Sequence, residues 1–409
     1  MKLAMKTGNR KQVVVISLLT AACLLGDSML YIALPIHWAE TGLDSLWQVG
    51  LLLSVNRIVR LPLNPLIAWV YQRLHIRAAM LIAVLLAIVT TAGYGLCYGF
   101  LAWLALRCLW GVAWSLLRMG AQFAILDVSD DDNRGYYMGT YNGLYRLGSL
   151  LGMLAGGVVA DSWGLQSVAL LFAGVTAAAL PFLFRFVPKG NTNYQSADLS
   201  TAAAASPWRD RQVLWTMATG LYISMLYSGV FTSTVSYLVA RQYAENVTLL
   251  GITIGAASIA GTLQALRWTW EPWLAPLIGR ISDGRGNRSR FLGGTLVSAA
   301  VFFALIPVHM PLGVWILLLI GVQLTATALT TLSDTLAADR AAQSPPAKVA
   351  IVTLYTISID TGAAIGPMFA YFMNSAAGMS VVYLGGALLL LAFAAKWLLP
   401  AKVEETARY

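Results

Sequence analysis

Charge is scarce in this sequence. Lys, Arg, Asp and Glu supply 11% of its 409 residues, against 58% hydrophobic residues. A water-exposed surface usually needs about a quarter charged residues, so a free-standing soluble domain is excluded. Histidine and cysteine are rare as well, three of each. His37, His75 and His309 map to loop regions or span ends. Cys23, Cys97 and Cys108 lie in apolar segments with no metal-ligand spacing and read as packing residues. No nucleophile triad, metal cluster or phosphate loop is visible. The glycine-rich stretches fall inside apolar segments, where glycine packs helices rather than cradling phosphates. Neither an enzyme nor a bound cofactor is expected.

Long apolar runs dominate instead. About 20 such residues carry a helix across the hydrocarbon core. Twelve candidates run at roughly 13–34, 47–71, 78–97, 100–122, 137–159, 166–187, 212–238, 250–278, 291–309, 313–336, 349–373 and 380–399. The segment 250–278 is long enough to tilt or break. Thr20-Ala21-Ala22-Cys23 faintly resembles a lipoprotein cleavage site, but apolar sequence continues past it, so the first span is read as uncleaved.

The net charge of +9 is a topology signal. Of the 27 basic residues, Arg57, Arg60, Arg107, Arg118, Arg146 and Arg267 fall within spans, and only Arg241 lies on one side. All the others, from Lys2 and Arg10 to Lys402 and Arg408, share the opposite side. The positive-inside rule makes that side cytoplasmic, with both termini there. The expectation is a multi-pass plasma-membrane protein in contact with lipid, monomeric and without a nucleic-acid partner.

A hydrophilic stretch at 188–211 divides the spans six and six, giving bundles at 1–187 and 212–409 joined by a cytoplasmic linker. The halves repeat. Leu63-Asn64-Pro65-Leu66-Ile67 mirrors Leu274-Ala275-Pro276-Leu277-Ile278, and Gly148-x3-Gly152-Met153 mirrors Gly362-x3-Gly366-Pro367. Such repeats place a substrate site near the midplane, where the halves meet.

The fifth span carries Gly139-x8-Gly148-x3-Gly152-Met153-x2-Gly156-Gly157. Each glycine costs a helix interior about 0.8–1.0 kcal/mol against alanine; in lipid, close helix approach offsets this. The ladder resembles the fifth-helix signature of antiporters of the major facilitator superfamily, with Met153 where the family has proline. The loop Gly279-Arg280-Ile281-Ser282-Asp283-Gly284-Arg285-Gly286 resembles the superfamily's loop signature. Its first-half copy around Gln72 is degenerate and lacks the acid. Arg107-x3-Gly111 and Asp130-Asp131-Asp132-Asn133-Arg134-Gly135 also fit the family. The resemblance implies an all-α membrane protein of twelve helices in two pseudosymmetric six-helix bundles. It implies that Gly139, Gly148, Gly152, Gly156, Gly157, Gly279, Asp283 and Arg285 form its conformational motifs.

Ionisable residues inside a membrane are costly and usually functional. Here they are Asp27, Arg57, Arg60, Arg107, Arg118, Arg146, Arg267, Glu271, Asp334 and Asp360. Arg60, Arg146, Glu271 and Asp360 each lie twelve residues from a cytoplasmic anchor (Gln72, Arg134, Asp283 and Lys348), a depth of about 18 Å at 1.5 Å per residue. In the family fold span two faces span eleven and span five faces span eight. Arg60 or Arg57 is therefore expected to face Asp360, and Arg146 to face Glu271. A local Arg267–Glu271 pair, four residues apart on one helix, is the competing reading.

By resemblance, Asp27 on span one and the motif residue Arg107 on span four are candidates for proton coupling, with Glu271 and Asp360 beside them. The alternative for Asp27 is a static ion pair that orients span one. Asp334 and Arg118 are read as lying nearer the cytoplasmic face. Tyr141, Asn142, Tyr145, Tyr222, Tyr227, Trp268 and Tyr355 are the candidate cavity lining. The leading expectation is a secondary transporter exporting a small amphipathic or drug-like molecule, driven by a proton gradient. One alternative is an anionic metabolite or lipid-like substrate, from the arginine-rich first half. Another class, a non-transporting sensor or scaffold, would carry a soluble output domain, which the sequence does not show.

Overall fold

The computed structural model describes residues 2–128, 134–187, 210–243, 246–249, 252–282, 287–343 and 348–399. The first half contains α1 (Lys2–His37), α2 (Leu46–Arg73), α3 (Ile76–Leu96) and α4 (Phe100–Val128). The helical run Arg134–Ala178 is broken at Gly164 (φ 78°, ψ 165°). It therefore holds two helices, α5 over 134–163 and α6 from 165 onward, the latter continuing through Leu180–Phe186. In the second half, α7 runs from Arg211–Ser224 through a π-helical turn, Met225–Phe231, to Thr232–Tyr243. Then follow α8 (Ala256–Ser282), α9 (Asn287–Leu305), α10 (Leu312–Gln343), α11 (Lys348–Ala377) and α12 (Met379–Leu398). Among the described residues, twelve helices thus stand where twelve apolar runs were expected.

One boundary differs. Within the segment expected to open span eight at 250, β2 (Ile252–Gly255) pairs antiparallel with β1 (Asn246–Leu249) as a hairpin. The helix begins only at Ala256. The β-branched Ile252, Thr253 and Ile254 favour extended backbone, and hydropathy alone does not separate such residues from a helix.

Among the described residues, seven helical runs are long and apolar enough to cross a membrane by length and composition, and one of them, Thr140–Phe186, holds both α5 and α6. Helices α2, α8 and α11 carry Arg57 and Arg60, Arg267 and Glu271, and Asp360 within their lengths.

Backbone chemistry confirms the two-fold repeat. Gly164 separates α5 from α6, and Gly378 (φ 87°) separates α11 from α12. Each lies sixteen residues beyond its ladder glycine, 148 to 164 and 362 to 378. A left-handed φ at both junctions requires glycine. At α7, Asp210 accepts hydrogen bonds from the backbone N–H groups of Gln212 (2.7 Å) and Val213 (3.4 Å), capping the first turn.

The glycine ladder has two destinations. Gly148 lies on the backbone of Ala21, Gly152 on Leu25 and Gly156 on Met29, all within α1. A methyl at Gly152 would stand 2.7 Å from the Leu25 carbonyl oxygen. These glycines bring α1 and α5 together inside one bundle. Gly157 instead abuts the Ala257 carbonyl of α8, and Gly261 of α8 abuts Met153 of α5, so the ladder's last rung packs across the seam. In the second half Gly362 meets Leu221 and Gly366 meets Gly229, joining α11 to α7 as α5 joins α1.

The seam is closed at the end away from Val187 and Asp210, the described residues on either side of 188–209 (the far end; the opposite end is the linker end). There Asp161 of α5 accepts hydrogen bonds from the Ser258 backbone N–H (2.6 Å) and hydroxyl (2.5 Å) at the start of α8. An anion at a helix N-terminus is stabilised by the free N–H groups and the dipole. On the other flank, the Met368 N–H of α11 donates to Ser54 Oγ of α2 at 3.0 Å. Gly50 lies against the Pro367 carbonyl, close enough that a methyl would stand 2.7 Å from its oxygen.

Candidate transport cavity between the bundles

Below this closed end, a cavity of about 630 Å³ lies between the halves. Helices α1, α2, α4 and α5 wall one side, and α7, α8, α10 and α11 the other. Arg118, Asp360 and Arg146 within it retain 44, 38 and 43% of their side-chain exposure. These charges keep that exposure inside the chamber, on its lining.

The most buried charge is Arg107, fully enclosed in α4. Its Nη1 pairs with Asp27 of α1, and its Nε donates to the Leu52 carbonyl of α2 at 2.8 Å. Asn56 Nδ2 also donates to Asp27 Oδ1, at 3.3 Å. Gly111, one turn further along α4, lies against the Asn56 carbonyl. Asp27 lines the cavity, so this knot ties three helices of the first bundle together and presents one carboxylate to the chamber.

At the α5–α8 seam, Arg146 Nη1 lies 3.1 Å from Glu271 Oε1. Arg267 Nε lies 3.4 Å from Glu271 Oε2. The cross-seam and local pairings are therefore both present, and they share one carboxylate. Trp268 completes the group, its ring 5.2 Å from the Arg146 guanidinium and 5.6 Å from that of Arg267, within cation–π range. Because Arg146 is nearly half exposed, its pair has the energetics of a surface bridge, about 0–1 kcal/mol. Arg146→Ala is expected to leave thermal unfolding in detergent nearly unchanged, since Arg267 still holds Glu271. Loss of the cooperative transition in Arg146→Ala would refute that division of labour.

The α2–α11 expectation needs correction. Asp360 pairs with Arg118 of α4 at 3.9 Å rather than with Arg57 or Arg60. Arg60 lies within electrostatic range of Asp360 and Arg57. Its Nε is nonetheless a buried donor without a hydrogen-bond partner among the described residues. Arg57 rests over the Tyr31 ring at 5.6 Å. Counting residues fixes height along a helix and leaves its rotation open, which is why Arg118 took the place given to α2. Asp334 sits nine residues from the Gln343 end of α10 and at the level of Tyr355, seven residues into α11, nearer that end than Asp360. It lines the cavity and accepts a 2.7 Å hydrogen bond from Tyr355, whose hydroxyl is 2.9 Å from Ser333 Oγ.

Of the aromatic candidates, Tyr145, Trp268 and Tyr355 face the cavity. Tyr141 does not: it is buried in the first-half core, 5.0 Å from Tyr145 between ring centroids. Asn142 is exposed and lies outside the lining. Tyr222 donates to the Gly386 carbonyl (2.7 Å) and stacks on Phe393, fastening α7 to α12. Tyr227 bonds Thr325 at 2.8 Å, fastening α7 to α10. Each of these last two phenols finds its partner inside the bundle. The lining also includes Tyr31, Trp110 and Trp114, which the sequence did not single out. Gly139 sits near the start of α5, and Gly279 has open space beside it. Asp283 and Arg285 lie outside the described residues.

Paired helix bundles with an internal repeat, enclosing a charged chamber at their junction, define the architecture of a secondary transporter. The sequence model of the Major Facilitator Superfamily matches residues 16–353, and the chain belongs to that superfamily. It is 28% identical over 179 residues to the uncharacterized MFS-type transporter YcaD of Escherichia coli O6:K15:H31 (strain 536 / UPEC), covering 43% of this chain and 46% of that protein. To YcaD of Escherichia coli O45:K1 (strain S88 / ExPEC) it is 28% identical over 208 residues, 50% and 53% of the two chains. The match spans about half the length of these curated relatives. Among solved structures, a bacterial homologue of the human lysosomal transporter Spinster, inward-facing and unoccupied, superposes with a TM-score of 0.73 at 16% identity, covering 95% of this chain and 96% of that one. A POT family transporter in complex with a thioalcohol-conjugated peptide gives 0.70 at 13% identity, with 95% of each chain covered. At such identities the likeness is one of fold.

Proposed function

We propose that this transporter exports a small amphipathic molecule bearing an anionic group, in exchange for protons, by rocking its two bundles about the cavity at their seam. The observation that carries this reading is the chamber itself, sealed at the far end by Asp161–Ser258 and Gly157–Ala257 and lined by both charges and aromatic rings. Its volume falls within the range of small-molecule sites, about 300–1,000 Å³. Trp110, Trp114 and Trp268 suit an apolar body, while the uncompensated Arg57 and Arg60 favour an anionic rather than a cationic head. The linker end is the cytoplasmic end in this reading, supported by the clustering of basic residues on that side. The glycine ladder's likeness to antiporters supports export.

Coupling follows from the Asp27–Arg107 contact. A proton on Asp27 would cancel its charge and free Arg107 to seek another acceptor, loosening the joint among α1, α2 and α4 at the cavity wall. Proteoliposomes with an imposed pH gradient, offered anionic, neutral and cationic aromatic compounds, test the proposal. Gradient-driven flux of anionic compounds, abolished in folded Asp27→Asn protein, is the expected result. Flux indifferent to the gradient would remove the coupling, and flux restricted to cations would remove the anionic head group.

A further inference from the structure

The charges around the cavity do not balance, and the imbalance is local. On the α8 side, Arg146 and Arg267 are met by Glu271 and by Asp334, which lies within electrostatic range of both arginines. On the α2 side, Arg57, Arg60, Arg107 and Arg118 face only Asp27 and Asp360. Asp27 is committed to Arg107 and Asp360 contacts Arg118. Arg57 and Arg60 therefore remain with no ion pair among the described residues, and the α2 corner holds two positive charges in excess.

Those two arginines are three residues apart on one helix, so they lie on the same face, and like charges at that spacing repel. Arg60 also buries its Nε without a partner, an arrangement that costs free energy unless a ligand supplies the acceptor. Arg57 is steered by the Tyr31 ring, and both side chains line the cavity. A guanidinium keeps its proton in a protein, and both side chains remain part-exposed in the cavity wall, so an anion that enters the chamber can supply the counter-charge that the described residues do not.

We propose that Arg57 and Arg60 form a subsite for the phosphate monoester group of the transported molecule. A phosphate monoester carries about −1.5 to −2 charge near pH 7 and three strong acceptor oxygens, matching the excess and offering an acceptor to each guanidinium fork. A carboxylate supplies half that charge and two oxygens, leaving one arginine uncompensated. Trp110 and Trp114 of α4 stand in the same wall, so an apolar body extends from the phosphate along the first-bundle face. The subsite rests on the transport reading above for its role as cargo site, whereas its charge and geometry stand independently.

The test uses the full chain purified in detergent, with intrinsic tryptophan emission as readout. The probes are phenyl phosphate, benzoate, benzyltrimethylammonium and a single-chain lysophosphatidate. Phenyl phosphate should bind more tightly than benzoate, and benzyltrimethylammonium should not compete. Arg57→Gln and Arg60→Gln should each weaken phenyl phosphate by about tenfold or more, the equivalent of one charge-assisted hydrogen bond. Arg60→Lys, which keeps the charge and loses the fork, should fall between wild type and Arg60→Gln, and it serves if the glutamine variants unfold. Arginine-dependent binding of phenyl phosphate assigns the chemistry to a free phosphate ester. Arginine-dependent binding of lysophosphatidate alone assigns it to a lipid head group. Phenyl phosphate and lysophosphatidate bound no better than benzoate, or bound equally by the Arg57→Gln/Arg60→Gln protein, would overturn the subsite. Arginine-dependent binding without gradient-driven flux of any compound would instead overturn the transport reading and leave the subsite standing.

Discussion

Asp27→Ala is expected to destabilise the protein by about 3–5 kcal/mol, the penalty for stranding one charge of a buried pair. The partner left behind is Arg107, with no side-chain exposure. After the substitution its Nε still reaches the Leu52 carbonyl, 2.8 Å away, but its Nη1 faces an empty site. Its Nη2 already lacks a partner among the described residues. Arg107→Ala should be milder, because a carboxylate can take up a proton where a guanidinium cannot give one up. Asp27→Asn should also be milder than Asp27→Ala, since the amide oxygen still accepts from Arg107. The double variant Asp27→Ala/Arg107→Met should recover most of the loss, as replacement of a whole buried pair by apolar side chains usually does. Thermal unfolding in detergent, followed by tryptophan emission, measures all four. Equal losses in Asp27→Ala and the double variant would show that Arg107 matters for packing alone.

The parts of the site that the sequence revealed are those fixed by distance along a helix. A straight helix rises 1.5 Å per residue, so equal counts from anchoring charges put Arg146 and Glu271 at one depth, and the structure brings them to 3.1 Å. Rotation about the helix axis is less legible. Asp360 pairs with Arg118, where depth and the family's facing of spans two and eleven suggested Arg57 or Arg60. Tyr222 and Tyr227 are the same kind of residue as Tyr145 and Tyr355, yet they turn inward to Gly386 and Thr325. Which face of an all-apolar helix meets protein and which meets lipid leaves little trace in hydropathy, because both faces are apolar.

The far-end closure was hidden for a different reason. Asp161 lies at the end of a span, where an acidic residue ordinarily reads as solvated. Its meaning depends on Ser258, 97 residues later in the chain, and on the hairpin that delays the start of α8 until Ala256. Serine at the third position of a helix is unremarkable by itself. Only the approach of α5, permitted by Gly157 and Gly261, turns that helix start into a receptor for the Asp161 carboxylate. The glycines were visible as a ladder, but their separate destinations were not.

That separation sets up the second large effect. Gly148→Leu and Gly157→Leu add the same side chain to the same helix, yet they should fail in different ways. At Gly148 the new atoms meet the backbone of Ala21 within the first bundle. Backbone there cannot yield without parting α1 from α5, so overpacking should cost about 1–3 kcal/mol or more and appear as poor folding. At Gly157 the obstacle is the Ala257 carbonyl across the seam. There the bundles can part as rigid bodies, so the strain can be relieved by opening the far end, with each bundle intact. Gly157→Leu should therefore unfold cooperatively near the wild-type temperature while favouring the far-end-open arrangement. Spin labels at the exposed positions Glu40 and Arg241 report the change: their separation should lengthen in Gly157→Leu and stay at the wild-type value in whatever fraction of Gly148→Leu folds. A 1.4 kcal/mol preference moves the balance between two arrangements tenfold, so even modest strain at Gly157 should be plain in the distance distribution. An unchanged distribution would mean that the seam absorbs a leucine without parting, and Gly157 would then lose its place in the gate.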